Sequence, residues 1–537
     1  CSLVGSEMCI RDRFIALGIV LPLHMQGQNF LIKDAPEVIE SYVNQFNRED
    51  NELYKQDIPN CGASDFLRKN IPFFECPDKE LEKTYYFRWW TYRKHIKKTP
   101  DGFVITEFLP DVPWAGKYNT ISCAANHHFY EGRWLRNTEI LSDYASFWFS
   151  GSGNPRLYSF GAADAIYNYY LIHNDKMLLA DLYPKLKDNF AKWEEEKRDS
   201  TGMFWQVDDR DGMEMSVSGH LSEGGRGYRP TINSYMYGEA VALAKIASIV
   251  DRDMEARTYQ KKADKLKGII NRRLWDKQAD FYKVIPLNGK MEFSYARELL
   301  GYIPWFYNIP PDNYSIAWKQ LFDSKGFEAA YGPTTVEQRC PDFKISYEGH
   351  ECQWNGPSWP YLTSMTLAAM ANYFNSYDSP IITKKDYLSL LNIYSNSHRI
   401  LSVNNDTICW IDENINPYTG DWISRTRLKS WKNGTWDDSK GGVERGKDYN
   451  HSSFCNLIIS GLMGVRPQED GSIIINPLVP DGCWDYFCLD NVYCQGKTIT
   501  IIFDKKGKKY GRGKGFIVYV DDKCLSHTTR VQKVVIR

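Results

Sequence analysis

Amphipathic helical segments fill the middle of this chain and limit its possible folds more than any other feature. Between residues 78 and 465, apolar side chains return at steps of three and four residues, the spacing of one face of an α-helix. We predict helices over Glu80 to Ile96, Gly132 to Trp148, Ala162 to Tyr170, Leu178 to Trp193, Ser234 to Ile249, Ala256 to Leu274, Pro357 to Tyr373, Lys385 to Ser395 and Ser452 to Leu462.

The loops between alternate helices are long and rich in Gly, Pro, Trp and acidic residues, which is typical of functional loops. A mainly α chain with such loops at one end indicates an (α/α)6 toroid. A helical solenoid is the alternative, but no fixed repeat period is visible. Asn233 and Thr383 are predicted caps of the helices that follow them.

The pattern changes near residue 466. Short β-rich runs, among them residues 497–504 and 515–521, alternate with turn residues. The sequence therefore predicts a toroid over residues 78–465, an N-terminal extension over 29–77, and a small C-terminal antiparallel β-domain over 466–537.

The first residues are not expected to belong to the fold. Residues 1–13 resemble the translated read-through of a sequencing adapter, and we exclude them. Residues 14–28 contain an apolar run of signal-peptide length, interpreted as a signal-peptide remnant of a secreted or periplasmic protein. A buried strand or short helix is the alternative. No segment is long and apolar enough to predict a membrane span.

Composition narrows the class of function. The formal net charge is −1, which argues against a nucleic-acid-binding protein. Aromatic residues make up 15% of the chain, with 17 Trp and 35 Tyr. Such rings indicate either a large core or a carbohydrate site, where they stack on the apolar faces of sugars. The 13 cysteines lack metal-ligand spacing and are expected to be mostly buried free thiols.

An acid-rich, Gly-broken loop precedes the helix near residue 230. It contains Asp208, Asp209, Asp211 and Glu214. Glu214 lies between two methionines, a setting that could raise its pKa and keep it protonated as a general acid. The more polar settings of the aspartates suit hydroxyl binding, and Asp208 and Asp211 are predicted to bind substrate. An exposed acidic loop holding a loosely bound cation is the alternative.

A second carboxylate, Glu413, lies about two hundred residues later among aromatic and turn residues. Hydrolysis with inversion at a glycosidic bond uses a carboxylic acid and a carboxylate about 6.5–9.5 Å apart. Glu413 is the predicted base, and Glu444 is the competing candidate. His451 is interpreted as a hydroxyl partner or a structural histidine. We predict no catalytic metal and no cofactor, because no histidine cluster has ligand spacing.

Aromatic and arginine residues at loop ends complete the predicted sugar site. Arginine offers several hydrogen-bond donors in a fixed geometry, which suits vicinal hydroxyls. The predicted substrate-binding residues, besides those already named, are Trp114, Glu131, Arg133, Trp134, Arg156, Asn233, Trp354 and Trp359.

These motifs resemble the α/α-toroid glycosidases, a superfamily that includes glycoside hydrolase family 63, the family 37 trehalases and the mannosylglycerate-hydrolase-like enzymes. The resemblance covers residues 80–465. Residues 212–214 match a Gly-x-Asp loop that carries the general acid, with Glu in place of Asp. Residues 413–420 match the element that carries the base, and residues 354–359 match a sugar-lining Trp-x-Gly-Pro-x-Trp element. The Glu-for-Asp exchange leaves Glu214 and Asp211 both open as the acid.

The resemblance implies an inverting glycoside hydrolase acting on an oligosaccharide or polysaccharide, with α-glucosidase-, trehalase- or mannosidase-like specificity. Three alternatives remain. The first is a non-catalytic sugar-binding toroid. The second is a polysaccharide lyase, which would need a Tyr/His pair. The third is a Mg-dependent cyclase, since residues 208–211 superficially resemble a magnesium-binding acidic run.

Overall fold

The computed structural model describes residues 30–402, 404–434 and 438–537, with the side chains of residues 430–434 left aside. The predicted adapter read-through at residues 1–13 and the predicted signal-peptide remnant at residues 14–28 lie outside the described residues.

Thirteen α-helices occur in the described part of the chain. They are α1 Ala35–Glu49, α2 Asn60–Asn70, α3 Lys79–Lys94, α4 Ser122–Gly132, α5 Glu139–Phe149, α6 Ala162–His173, α7 Lys176–Lys197, α8 Pro230–Ile249, α9 Asp253–Arg273, α10 Ile303–Phe306, α11 Pro360–Ser376, α12 Lys384–Ser397 and α13 Ile423–Gly434. A 3₁₀ segment, Asp312–Phe322, and a π-helical segment, Leu457–Leu462, also belong to the helical framework.

These helices form the predicted (α/α)6 toroid. An inner ring runs α4, α6, α8, α10, α11 and the π-helical segment, and successive members contact one another. Glu131 of α4 closes the ring by accepting hydrogen bonds from the backbone N–H groups of residues 454–456. The outer ring comprises α3, α5, α7, α9, the 3₁₀ segment and α12, and a contact between α12 and α3 closes it.

The inner helix α8 and the outer helix α9 differ in how many of their faces are buried. The inner helix α8 is buried on nearly every side, whereas the outer helix α9 buries only Ala263, Leu266, Ile269 and Ile270, at steps of one to three residues. Helix α9 therefore shows the amphipathic period expected of a helix with one solvated face. The outer helix α3 is buried on nearly every side, because α1 and α2 pack on it. An inner helix shows little contrast, because its neighbours cover all its faces.

Local signals set several helix starts. Thr383 forms a capping box with Asp386 at the start of α12, which confirms the predicted cap. The predicted cap at Asn233 is wrong, because α8 begins at Pro230 and Asn233 lies in its first turn. Pro230 suits that first position, where its missing N–H costs no hydrogen bond.

One predicted helix begins later than predicted. Of the segment from Gly132 to Trp148, residues 139–148 lie in α5, whereas Gly132 is the last residue of α4. At Gly132 a Cβ atom would lie 2.1 Å from the hydroxyl of Tyr92, so only glycine permits this close approach.

The strands lie mainly at the C-terminal end of the chain. Those outside it are β1 Phe73–Glu75, β2 Ile96–Thr99, β3 Gly102–Ile105, β4 Gln206–Val207, β5 Arg226–Tyr228, β6 Trp275–Asp276, β7 Phe281–Tyr282, β8 Ile285–Pro286, β9 Arg399–Leu401 and β10 Thr407–Cys409. The C-terminal strands are β11 Val465–Pro467, β12 Ile473–Ile475, β13 Tyr486–Cys494, β14 Lys497–Asp504, β15 Gly515–Val520, β16 Lys523–Thr528 and β17 Val534–Ile536.

Two antiparallel sheets form the small C-terminal β-region. One has the strand order β1-β13-β14-β15-β16, and the other has the order β11-β12-β17. Strand β1 comes from the N-terminal extension, where Phe74 pairs with Leu489. The extension is therefore joined to the C-terminal sheet, while α1 packs on α3 of the toroid.

Two further expectations can be compared with the described residues. None of their helices combines the length and apolarity needed to cross a bilayer. Their cysteines are unpaired and most are buried, which confirms the prediction of free thiols.

The fold gathers all the connections from an outer helix to the next inner helix at one end of the toroid. These connections include residues 106–121, 150–161, 198–229, 323–359 and 398–456. They are the long polar and aromatic loops of the sequence, and they surround the mouth of the ring.

Candidate functional site

A pocket of about 370 Å³ opens at this end of the toroid. Five of the outer-to-inner connections contribute to its walls. The lining residues are Glu107, Phe108, Pro113, Trp114, Ile121, Cys123, Tyr158, Asp209, Arg210, Gly212, Glu214, His350, Glu351, Cys352, Trp359, Glu413, Ser439, Lys440, Arg445, Tyr449 and His451. A larger cavity of about 500 Å³ lies at the opposite end, beneath β11 and β12. Two predicted catalytic carboxylates line the first pocket and neither lines the second.

Glu214 lies at the end of the acid-rich loop. The carbonyl of Asp208 accepts hydrogen bonds from the N–H groups of Asp211 and Met213, which closes a tight turn. Gly212 continues the turn with a φ of +69°, a conformation that costs glycine little. Burial raises the pKa of Glu214 well above its usual range, and the neighbouring carboxylates of Asp209, Glu107 and Glu413 raise it further. These surroundings favour the protonated form of Glu214.

Asp211 anchors this loop from below. Its Oδ1 accepts a hydrogen bond from the Ser159 hydroxyl at 2.5 Å. Its Oδ2 accepts hydrogen bonds from Arg229 Nε at 2.6 Å and from the Thr231 hydroxyl. Both side chains of the Asp211–Arg229 ion pair are fully buried. Because both oxygens are bound by protein groups, Asp211 fixes the loop and does not line the pocket.

Glu413 lies on the opposite connection. An isolated bridge from Ile415 to Ser358 joins its loop to the loop that contains Trp354 and Trp359, and a second bridge, from Ile415 to Trp422, lies within its own loop. Arg445 donates to Glu413 Oε1 from Nε at 2.8 Å and again from Nη2. The other oxygen, Oε2, lies 3.7 Å from the Cys352 sulfur, which donates to it weakly.

The charge of Glu413 depends on Arg445. Burial raises the pKa of Glu413, and the Arg445 guanidinium opposes that shift through its charge and its hydrogen bonds. Gly446 allows the chain to bring Arg445 here, because a Cβ at this position would lie 1.8 Å from Asp412 Oδ1. The pocket thus places on its walls Glu214, whose surroundings favour its protonated form, and Glu413, whose carboxyl group is bound by the Arg445 cation.

A third acidic group, Glu107, lies deep in the pocket. Its Oε1 accepts hydrogen bonds from the Tyr449 hydroxyl at 2.6 Å and from His451 Nδ1 at 2.9 Å. Glu107, Cys123 and His451 could each give one ligand atom to a metal ion, since these atoms lie within 4.8 Å of one another. Burial, with Glu107 and Glu214 nearby, raises the pKa of the Cys123 thiol well above its usual range.

Aromatic rings form the apolar walls. Trp359 lines the pocket, and Trp354 stacks behind it with ring centroids 4.4 Å apart and planes inclined by 12°. Trp114 meets the edge of Phe108 at 5.8 Å. Such ring faces can pack against the C–H faces of a sugar.

The structure brings together Glu214, Glu413, Trp114, Trp359 and His451 and directs the other predicted residues elsewhere. Glu131, Arg133 and Trp134 bind the segment at residues 454–456, where Arg133 and Trp134 both donate to the Asn456 side chain. Their contacts hold the inner ring closed.

The remaining predicted residues also bind protein groups outside the pocket. Arg156 pairs with Glu196, and Asn233 exchanges hydrogen bonds with the Phe204 backbone. Asp208 accepts from Ser216, and Glu444 pairs with Arg425 at 2.7 Å. Trp354 supports Trp359 from behind.

The sequence interpretation missed several lining residues, chiefly Glu107, Arg210, Glu351, Arg445 and Tyr449. The sequence positions of two of these residues could have identified them as pocket residues. Glu107 comes directly after β3 and shortly before Trp114, and Arg445 is adjacent to the candidate Glu444 in a Gly-rich stretch.

Comparison with known proteins bears on this site. A family model described as "Mannosylglycerate hydrolase MGH1-like glycoside hydrolase domain" matches residues 117–452. A solved structure named "Sialidase" is 37% identical, with a TM-score of 0.85. The match covers 94% of this chain but only 44% of that one, so this chain spans less than half the length of that protein.

Two more distant structures share the fold. The GH63 mannosylglycerate hydrolase from Thermus thermophilus is 13% identical, has a TM-score of 0.50, and is matched over 70% of this chain and all of its own. The GH78 family rhamnosidase of Bacillus sp. GL1 is also 13% identical, has a TM-score of 0.55, and is matched over 86% of this chain and 44% of its own.

Proposed function

This chain belongs to the MGH1-like family of glycoside hydrolases, and on that premise we propose that it hydrolyses a glycosidic bond with inversion of configuration. Glu214 is the general acid and Glu413 is the general base. The observation that carries the proposal is the presence of these two carboxyl groups on one pocket, one in surroundings that favour its protonated form and one bound by a cation.

The acid role follows from the surroundings of Glu214. A general acid must be protonated at the working pH and must reach the leaving oxygen. Burial and three neighbouring carboxylates favour the protonated form of Glu214, and its side chain borders the pocket. Asp211, the competing candidate, has both oxygens engaged below the loop. These contacts support Glu214.

The base role follows from the two oxygens of Glu413. Arg445 binds Oε1 and stabilises the carboxylate, while Oε2 remains for a water molecule. Deprotonation of that water would direct it at the anomeric carbon as Glu214 protonates the leaving oxygen. Glu444, the competing candidate, is absent from the pocket walls and pairs with Arg425. These contacts support Glu413.

The substrate is proposed to be an oligosaccharide or polysaccharide with its terminal sugar in the pocket, between Trp114 and Trp359. Glucosidase-, trehalase- and mannosidase-like activities fall within this proposal. A sialidase activity, the name given to the 37%-identical protein, would need recognition of a sugar carboxylate. We also propose that the protein acts outside the cytoplasm, a proposal that rests on the sequence pattern of residues 14–28 alone.

The Glu413→Gln variant tests this mechanism. The amide keeps the shape of the side chain but cannot take the proton of water, so kcat should fall by about 10²–10⁴-fold while sugar binding persists. Hydrolysis of a panel of aryl glycosides and disaccharides gives the rate, and calorimetry with the product sugar gives the affinity. Equal loss of turnover and binding would count against the base role, and full activity would exclude it.

A further inference from the structure

Two polar atoms in the pocket have no protein partner in the described structure. They are Oε2 of Glu107 and Nε2 of His451, and both are buried. Glu107 and His451 are 4% and 3% exposed, and 5% or less of either side chain meets solvent although both line the pocket. A buried polar atom without a partner is costly, by about 1–3 kcal/mol. Two such atoms on one pocket wall are free to bind a ligand that enters the pocket.

The hydrogen bonds around these atoms define what they can bind. Burial raises the pKa of Tyr449 well above its usual range, so its hydroxyl stays protonated and donates to Glu107 Oε1. His451 Nδ1 lies 2.9 Å from the same oxygen and donates to it, because a carboxylate oxygen can only accept. Glu107 Oε2 is likewise an acceptor, so the ligand must supply a donor to it. A hydroxyl both donates and accepts, so it can also hydrogen-bond to Nε2 of His451.

The cations on the pocket wall are already engaged. Arg445 binds Glu413 and also lies 3.5 Å from Glu351. Lys440 pairs with Glu351 at 2.7 Å, and Arg210 lies 3.4 Å from Asp209. No lysine or arginine of the described wall forms an ion pair with Glu107. A sugar carboxylate entering this pocket would meet Glu107 without a counterion.

We propose that Glu107 and His451 form the floor of the sugar site, where they hydrogen-bond to the hydroxyls of an uncharged sugar, and that the Glu107 carboxylate excludes sugars that carry a carboxylate. This inference rests on the proposed function and adds a substrate class to it. Glu107 acts as a specificity-determining residue, because its negative charge repels a negatively charged sugar. His451 forms a hydrogen bond to a second hydroxyl through Nε2.

Sugar hydroxyls fit this floor with its internal hydrogen bond intact. Glu107 Oε1 and His451 Nδ1 already bind each other, which orients the two remaining atoms, Oε2 and Nε2. Each hydroxyl of a sugar can donate and accept, so a pair of hydroxyls can serve both atoms.

Binding of matched sugars tests the proposal directly. The probes are the methyl glycosides of glucose, galactose and mannose, the corresponding methyl uronides, and the methyl glycoside of N-acetylneuraminic acid, followed by saturation-transfer NMR with the whole chain. We expect at least one neutral glycoside to bind ten or more times more tightly than its uronide. Equal or tighter binding of a carboxylate sugar, or binding of none of the neutral ones, would overturn the proposal.

Two variants identify the residues responsible. Glu107→Gln exchanges an acceptor oxygen for a donor and removes the charge, so the preference for neutral sugars over uronides should fall at least tenfold. Glu444→Gln removes a carboxylate that lies outside the pocket and should leave the preference unchanged. An unchanged preference in Glu107→Gln would contradict the assigned role.

Measuring the metal content of the purified protein tests the alternative that Glu107, Cys123 and His451 bind a metal ion. Stoichiometric zinc in the purified protein, or loss of sugar binding after treatment with a chelator, would overturn the hydroxyl-binding floor. These outcomes are distinct from failure of the proposed function. If carboxylate sugars bind and Glu413→Gln still abolishes their hydrolysis, the floor is wrong and the mechanism stands. If neutral sugars bind as expected and Glu413→Gln hydrolyses normally, the mechanism is wrong and the floor stands.

Discussion

Arg445 donates two hydrogen bonds to a single oxygen of Glu413, while Glu444, one residue earlier, pairs with Arg425. Adjacent side chains thus join two different carboxylate–arginine pairs, one buried in the pocket and one outside it. The buried pair determines which oxygen of Glu413 faces the pocket and how readily that carboxylate ionises.

Replacing Arg445 with glutamine should move the acidic limb of the pH profile. Glu413 acts when ionised, so kcat/KM falls as the pH falls through its pKa. Burial already raises that pKa and Arg445 opposes the rise, so removing the guanidinium should shift the limb to higher pH. The profile of kcat/KM against pH measures this shift. The control, Arg425→Gln, should leave the limb in place, and an unmoved limb in Arg445→Gln would argue against Glu413 as the base.

Replacing Glu214 with glutamine should make the rate depend on the leaving group. A poor leaving group needs protonation, so hydrolysis of an alkyl glycoside or disaccharide should fall by about 10²–10⁴-fold. A dinitrophenyl glycoside leaves without a proton and should lose much less. Rates for a series of aryl glycosides measure the effect. An equal loss across the series would show that Glu214 does not donate the proton.

A helix could be predicted from the sequence when its buried face is apolar and its exposed face is polar. Outer helices such as α9 were predicted because one face is apolar and the other solvated. Helix α4 was missed because its small and polar residues are buried on nearly all sides and show no period. Helix α1 was also missed, although Ile39, Val43 and Phe46 have helical spacing.

The residues of the candidate site could likewise be predicted only where the local sequence marks them. Glu214 and Glu413 were found because each lies among turn residues near other acids. Glu107 and His451 are 344 residues apart, and only closure of the toroid brings them together. The sequence likewise could not show that Asp211 meets Arg229 below the loop, since nothing local distinguishes a ligand-binding aspartate from an anchoring one.

Replacing Asp211 with asparagine should destabilise the fold more than it alters the chemistry. The change leaves Arg229 as a buried charge without its partner, which costs about 3–5 kcal/mol. Urea denaturation of the variant measures this free energy of unfolding. Glu444→Gln breaks a partly exposed pair and should cost about 1 kcal/mol or less. A fully stable Asp211→Asn protein without activity would instead indicate a direct catalytic role for Asp211.

The anomeric configuration of the first product tests the central claim most directly. Proton NMR during hydrolysis of a cleaved glycoside resolves the newly formed anomer before mutarotation. The two-carboxyl mechanism, with Glu214 as acid and Glu413 activating water, predicts a product inverted relative to the substrate. A first-formed product of retained configuration would require a covalent intermediate and would contradict the assignment of Glu413 as a base.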